Sequence, residues 1–174
     1  MSIDGASGMA AGVDARLIAI YLNDHLAGAT GGLELARRAL GANRGTDFEA
    51  PLERLATEIA EDRAALRDVM TRLEVAQDPL KVWAAWAAEK AGRLKFNGRV
   101  SGYSPLSRVV ELEVLALGVE GKRALWRALA ETCADDARLA GVDLEALARR
   151  ADRQRRLVER ERLRAAALAF GAPS

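Results

Sequence analysis

The chain has 174 residues, of which 50% are hydrophobic and 29% charged, with a formal net charge of +1. That length fits one domain, and the balance excludes an intrinsically disordered chain, which is less apolar and less evenly charged. Alanine (36) and leucine (24) dominate over 4 prolines and 5% aromatics, as expected of helices, and the near-neutral total lacks the broad positive field that would make nucleic acid an expected partner.

Residues 1–13 lack a basic start and an apolar run; they read as a loose tail with no signal peptide. No run of 18 apolar residues occurs, so no membrane span is expected. The single cysteine, Cys133, excludes an internal disulfide and suits a reducing compartment. It is expected as a small hydrophobe near a helix end. Of the 26 basic residues 22 are Arg, which with so much Ala points to GC-rich codons. The expectation is a bacterial, cytoplasmic protein.

A first helix is expected from about Asp14 to Ala42, stopped by Asn43-Arg44-Gly45. Thr46 with Glu49 reads as a capping box, and Pro51 falls in the first turn of a second helix that continues to Glu74. Asp78-Pro79 opens a third helix of about 19 residues, roughly 28 Å long. It ends near Asn97-Gly98 and passes into a Gly/Ser loop to Tyr103. Ser104-Pro105 opens a fourth helix, to about Ala134. Gly141-Val142-Asp143 is a turn and cap before a fifth, which runs to Phe170. Residues 14–170 form one domain, with no repeat and no linker.

Tight turns join the first and second helices and the fourth and fifth, and short connections make antiparallel neighbours. Two antiparallel hairpins joined by a long crossover resemble the ferritin-like helical bundle superfamily. On that resemblance the fold is all-α, a ferritin-like bundle of four long helices with an additional shorter crossover helix. The resemblance covers residues 14–170 and rests on helix count and connection lengths. A plain five-helix bundle and a three-plus-two arrangement fit the same spacings.

The first helix carries Ile18, Leu22, His25, Ala29, Gly32 and Ala36 on one face, which places the only histidine on the apolar side. Gly28, Gly31 and Gly32 lie mid-helix, each costing about 1 kcal/mol against Ala, so close approach of a neighbouring helix or a Trp is expected there. The second helix repeats the pattern with Leu52, Leu55, Ile59, Asp62, Leu66, Val69 and Leu73. A hairpin centred between residues 44 and 45 brings His25 level with Asp62, so the two are expected to hydrogen-bond, favouring the charged imidazole. On the fourth helix Glu113 and Glu120 fall on the face of Leu106, Val110, Leu117 and Ala124. On the fifth, Arg155 and Arg162 edge the inner face formed by Leu144, Leu147, Ala148, Ala151, Val158 and Ala165. Glu113–Arg162 and Glu120–Arg155 are therefore expected as partly buried ion pairs.

Three functional readings follow. The resemblance to di-iron bundles implies inward glutamates and two Glu-x-x-His elements, and the chain has none of the latter. A metal site (Fe, Mn or Zn) would have to draw on His25, Glu58, Asp62, Glu113 and Glu120, with Gln154 or Glu161 on the fifth helix. The second reading is an anionic partner: Arg149, Arg153, Arg156, Arg160 and Arg164, with Arg150 nearby, form one outward stripe. No aromatics interleave with them, which disfavours single-strand stacking. The third is an interaction or ligand-binding bundle, for which Trp83 and Trp86, followed by Lys90, Lys95, Asn97 and Arg99, and Trp126 are the notable side chains. The Gly98–Tyr103 loop lacks a phosphate-binding pattern, and no Ser or Cys sits in a nucleophile elbow. The expectation is a structural or protein-interaction role without a catalytic motif or resident cofactor, with an unknown protein partner or a second copy as a homodimer; the alternative is a degenerate metal-binding bundle.

Overall fold

A computed structural model describes residues 14–78 and 103–171. The expected N-terminal tail and third helix lie outside these residues, and with them Trp83, Trp86, Lys90, Lys95, Asn97, Arg99 and most of the Gly98–Tyr103 loop. The described chain is all-helical: α1 (Ala15–Ala42), α2 (Glu49–Arg72), α3 (Pro105–Thr132) and α4 (Leu144–Phe170), with a short 3-10 turn at Ala137–Leu139 before α4. No strand occurs among the described residues, and none of their helices is long and apolar enough to cross a membrane.

The caps set the boundaries. Asp14 accepts the backbone N–H groups of Arg16 (2.9 Å) and Leu17 (3.2 Å), so α1 starts where a carboxylate can satisfy its first orphan donors. Ser104 caps α3 from Ser107 N–H with Pro105 at the first position, and Asp143 caps α4 from Ala146 N–H. The capping box expected at Thr46 does not form. Thr46 Oγ1 accepts from Phe48 N–H at 3.2 Å, and Glu49 reaches back to Gly45 N–H at 2.7 Å. Residues 43–48 therefore form a longer turn, with Gly45 at a φ of +73°, and α2 starts at Glu49.

α1 packs on α2 and on α3, α3 packs most extensively on α4, and α2 meets α4 and the 3-10 turn. The buried side chains form two apolar groups. One gathers Leu33, Phe48, Leu52, Leu55, Ile59, Leu112, Val119 and Val158; the other gathers Leu22, Leu26, Leu66, Met70, Leu125, Trp126, Leu129 and Leu144. Between them, each of three helices turns a polar side chain inward: Asp62 on α2, Lys122 on α3 and Gln154 on α4.

The face of α3 corrects an expectation. Leu106, Val110 and Leu117 are exposed, with Glu113, Glu120 and Ala124 on the same outer side. The inward row is Val109, Leu112, Leu115 and Val119. Since α3 is apolar on nearly every side, either row satisfies the helical spacing, and the one that meets both α1 and α4 is buried. Cys133 is buried at the end of α3 as a free thiol.

Candidate functional site

The polar layer centres on Asp62, which is 3% exposed. Arg150 Nε donates to its Oδ1 at 2.6 Å, Gln154 Nε2 donates to Oδ2 at 2.9 Å, and Lys122 donates to Oδ2 and to Gln154 Oε1. A second Arg150 nitrogen also reaches Asp62, and Arg150 Nη1 reaches Glu61 at 2.9 Å. Burial lowers the Lys122 pKa, and the adjacent Asp62 carboxylate opposes that shift. Both Asp62 oxygens are thus occupied by cationic or amide donors. Such a carboxylate is poorly placed to accept a substrate proton or to ligate a metal.

His25 does not join this cluster. Its ring meets Tyr21 edge-on with centroids 4.5 Å apart, and no hydrogen bond links it to Asp62 among the described residues. The longer turn at 43–48 shifts the register: Arg63 Nε donates to Thr30 Oγ1 at 3.0 Å, which sets Asp62 level with Gly31, about 9 Å along α1 from His25. Partial burial lowers the His25 pKa, with Asp24 opposing, so the expected bias toward the imidazolium is reversed.

The remaining candidates are also dispersed. Glu113 meets Arg162 at 3.5 Å, but at 50% side-chain exposure it is a surface contact, and Arg162 is held more closely by Glu159 at 2.8 Å. Glu120, also exposed, pairs with Arg123, whose hydrogen bond lowers its pKa. Arg155 acts on Glu120 only through its charge. Glu58 pairs with Arg54 at 2.8 Å. The set His25, Glu58, Asp62, Glu113 and Glu120 is therefore not brought together, and no three His, Cys, Asp or Glu side chains among the described residues converge to hold a metal.

A second polar group went unforeseen. Asn43, fully buried, donates to Ala39 O at 2.7 Å and Tyr103 Oη at 2.9 Å and accepts from Arg108. Tyr103 donates to Glu111 at 2.9 Å, and Arg38 reaches the same carboxylate at 3.0 Å. Burial, with Glu111 adding to it, pushes the Tyr103 pKa up to about 12. At the other end of α1, Asn23 donates to Ala76 O at 3.0 Å and accepts from Asp78 N–H at 2.7 Å. The two asparagines fasten the chain at each end of α1.

Beside the polar layer a cleft of about 660 Å³ opens between α1 and α3, with part of α2 as its floor. His25, Gly28 and Gly31 line one wall, Val114, Gly118 and Gly121 the other, and Trp126 is part of it. A Cβ placed on any of these four glycines meets nothing within 4 Å. No described helix approaches them closely, and Trp83 and Trp86, which the expectation for Gly28 and Gly31 also allowed, lie outside the described residues. The Trp126 indole N–H is buried and has no acceptor among the described residues.

On the opposite side, the acids of α4 are each engaged. Asp152 meets Arg123 (3.5 Å), Glu159 meets Arg162, Glu161 meets Arg160 (3.0 Å), and Glu145 meets Arg149 (4.0 Å). Arg164 is drawn to Asp47, and Arg150 turns in to Asp62. That leaves Arg153 and Arg156 exposed, with no ion pair among the described residues. No protein-family model, curated protein or solved structure matches the chain.

Proposed function

We propose that this protein is a ferritin-like bundle of two antiparallel hairpins, α1–α2 and α3–α4, with an interaction role, and that it docks an acidic protein partner through the outer face of α4. Support for the hairpins comes from the Arg63–Thr30 contact across α1 and α2, and from the Lys122–Gln154 and Glu113–Arg162 contacts across α3 and α4. One observation carries the role: Arg153 and Arg156 stand exposed and unpaired between Arg149 and Arg160 while the acids of the same helix are taken up. From Arg149 to Arg160 the row spans about 16 Å, enough for several carboxylates of a partner. Guanidinium forks match carboxylates with two parallel hydrogen bonds, which favours acidic protein over a diffuse polyanion. A second copy of the chain would offer the acidic surface in a homodimer.

A fluorescently labelled polyglutamate peptide and a duplex DNA of equal charge serve as probes in anisotropy titrations at low and high salt. The peptide is expected to bind with marked salt dependence. Arg153→Glu with Arg156→Glu should weaken it about tenfold or more, a loss of at least about 1.4 kcal/mol. The charge-matched control Arg44→Glu with Arg67→Glu should leave binding intact. Equal losses in both variants, no binding at low salt, or binding of the DNA alone would overturn the reading.

A further inference from the structure

We propose that the cleft between α1 and α3 binds a small, uncharged aromatic molecule that offers one hydrogen-bond acceptor, a ketone or similar oxygen, to the indole N–H of Trp126. The site lies on α1 and α3, away from the arginine face of α4.

The cleft is built into both helices at the same levels. Arg38 Nε donates to Glu111 at 3.0 Å, and Arg108 donates to Asn43, so α1 and α3 run antiparallel. Seven residues back from Arg38 and seven on from Glu111 bring Gly31 level with Gly118. Ten residues each way bring Gly28 level with Gly121. Both walls thus lack a side chain at two successive levels, and a Cβ on any of the four glycines would meet nothing within 4 Å. Leucine at these positions would favour the helices and fill the gap, so the glycines together keep open a space of about 660 Å³. Pockets of roughly 300–1,000 Å³ take small-molecule ligands.

The space has one buried donor to satisfy. Trp126 lines the cleft and is 0% exposed, and its indole N–H has no acceptor among the described residues. Buried polar groups are nearly always paired, and a fixed donor in a largely apolar pocket orients a ligand. The same register puts His25, on the facing wall, within two residues of the level of Trp126. Tyr21 meets the His25 ring edge-on. Three aromatic rings therefore line this end of the cleft, a setting for stacked or edge-to-face contact with an aromatic ligand.

Charge narrows the class. Lys122, one turn before Trp126, is held by Asp62 and Gln154, so its charge is already matched. Burial holds His25 toward its neutral form. Arg63, the other cation of the lining, is held by Thr30, five residues and about 8 Å further along α1 than His25. A carboxylate at the indole would be buried without a counter-charge, whereas a neutral carbonyl oxygen needs only the N–H.

The test titrates the full 15N-labelled chain with 2-acetylnaphthalene and with 2-isopropylnaphthalene, which is matched in size but has no acceptor. Proton–nitrogen correlation spectra resolve the tryptophan indoles, and the signal missing from Trp126→Phe belongs to Trp126. The ketone is expected to bind about fivefold more tightly than the hydrocarbon and to move the Trp126 signal. In Trp126→Phe that preference should vanish. Gly28→Leu and Gly118→Leu, on opposite walls, should each weaken both probes about tenfold or more, while Gly41→Leu, in the last turn of α1, should change neither. Circular dichroism confirms that each variant keeps the helicity of the parent, and either wall variant suffices if the other does not. No binding of either probe would mean that protein closes the cleft, and would overturn the proposal. Equal binding of the two probes, a preference that survives in Trp126→Phe, or binding untouched by leucine on the walls would overturn it as well.

Discussion

Replacing Asp62 by Asn tests the polar layer directly, because the side chain keeps its shape and loses its charge. The carboxylate is 3% exposed and holds Lys122, whose side chain is 13% exposed, as well as Arg150 and Gln154. Breaking a buried ion pair by removing one partner costs about 3–5 kcal/mol, because the other charge is left uncompensated. Arg150 retains Glu61 and is nearer solvent, so its share is small. We expect a loss of about 3 kcal/mol, or roughly 6–12 °C in Tm for a domain of this size. Urea unfolding followed by circular dichroism gives the midpoint, with an unchanged slope required for the comparison. The pH dependence carries a sign. The Lys122 pKa is lowered by burial, and Asp62 is the main group opposing that shift, so the variant lowers it further. Between that lowered value and the unfolded value of about 10.4, the unfolded chain binds more protons than the native one, and stability rises with pH. The deficit of Asp62→Asn should therefore be smaller at pH 9.5 than at pH 7. The triple variant Asp62→Leu, Lys122→Met, Gln154→Leu, which removes charge and amide together, should recover most of the loss. A deficit under about 1 kcal/mol, no narrowing with pH, or a triple variant as weak as the single would refute the reasoning.

Two further outcomes follow from the same structure. In a spectrophotometric titration, phenolate absorbance from Tyr103 should emerge near pH 12, and Glu111→Gln should lower that value by removing a charge that disfavours the phenolate. Because the folded pKa lies above the unfolded one of about 10, the associated stability is complete below pH 10 and is lost as pH rises toward 12, readable as a falling urea midpoint. Gly41→Ala, in the last turn of α1 where a Cβ meets nothing within 4 Å, should stabilise by about 0.5–1 kcal/mol in thermal unfolding; a lowered Tm would show a contact at that site.

What was legible in the sequence depended on whether a helix offered one apolar row or several. α2 has one: Leu52, Leu55, Ile59, Leu66, Val69 and Leu73 are all buried as their spacing requires, with Asp62 among them. The expected boundaries of α1 and α4 also agree closely, because Asp14 and Asp143 are true caps. α3 has apolar residues around its whole circumference, so spacing alone favoured the row through Leu106 and Leu117, which is exposed. A usable signal was present in Lys122. On the true inward row it is the one charged residue, and the hairpin register that sets Glu113 near Arg162 also sets Lys122 near Gln154. The His25–Asp62 pairing failed through the turn, since a few extra residues outside helix move every cross-helix partner by about a turn. Asn43 and Tyr103 lie 60 residues apart, and no periodicity connects them.

A core of Ala, Leu and Val in four similar helices has a register problem. Sliding one helix by a turn exchanges one aliphatic contact for another at small cost. The layer of Asp62, Lys122 and Gln154 removes that degeneracy. A one-turn shift of α2 would set the buried carboxylate against aliphatic neighbours and strand the Lys122 ammonium, a difference of several kcal/mol. The layer need not add net stability to do this; it makes the alternatives worse. It also accounts for where the cleft lies. At that level α1 contributes Gly28, Gly31 and Thr30 and no large side chain, so the apolar packing on either side is interrupted. The gap faces outward between α1 and α3, beside the row through Val114 and Leu117.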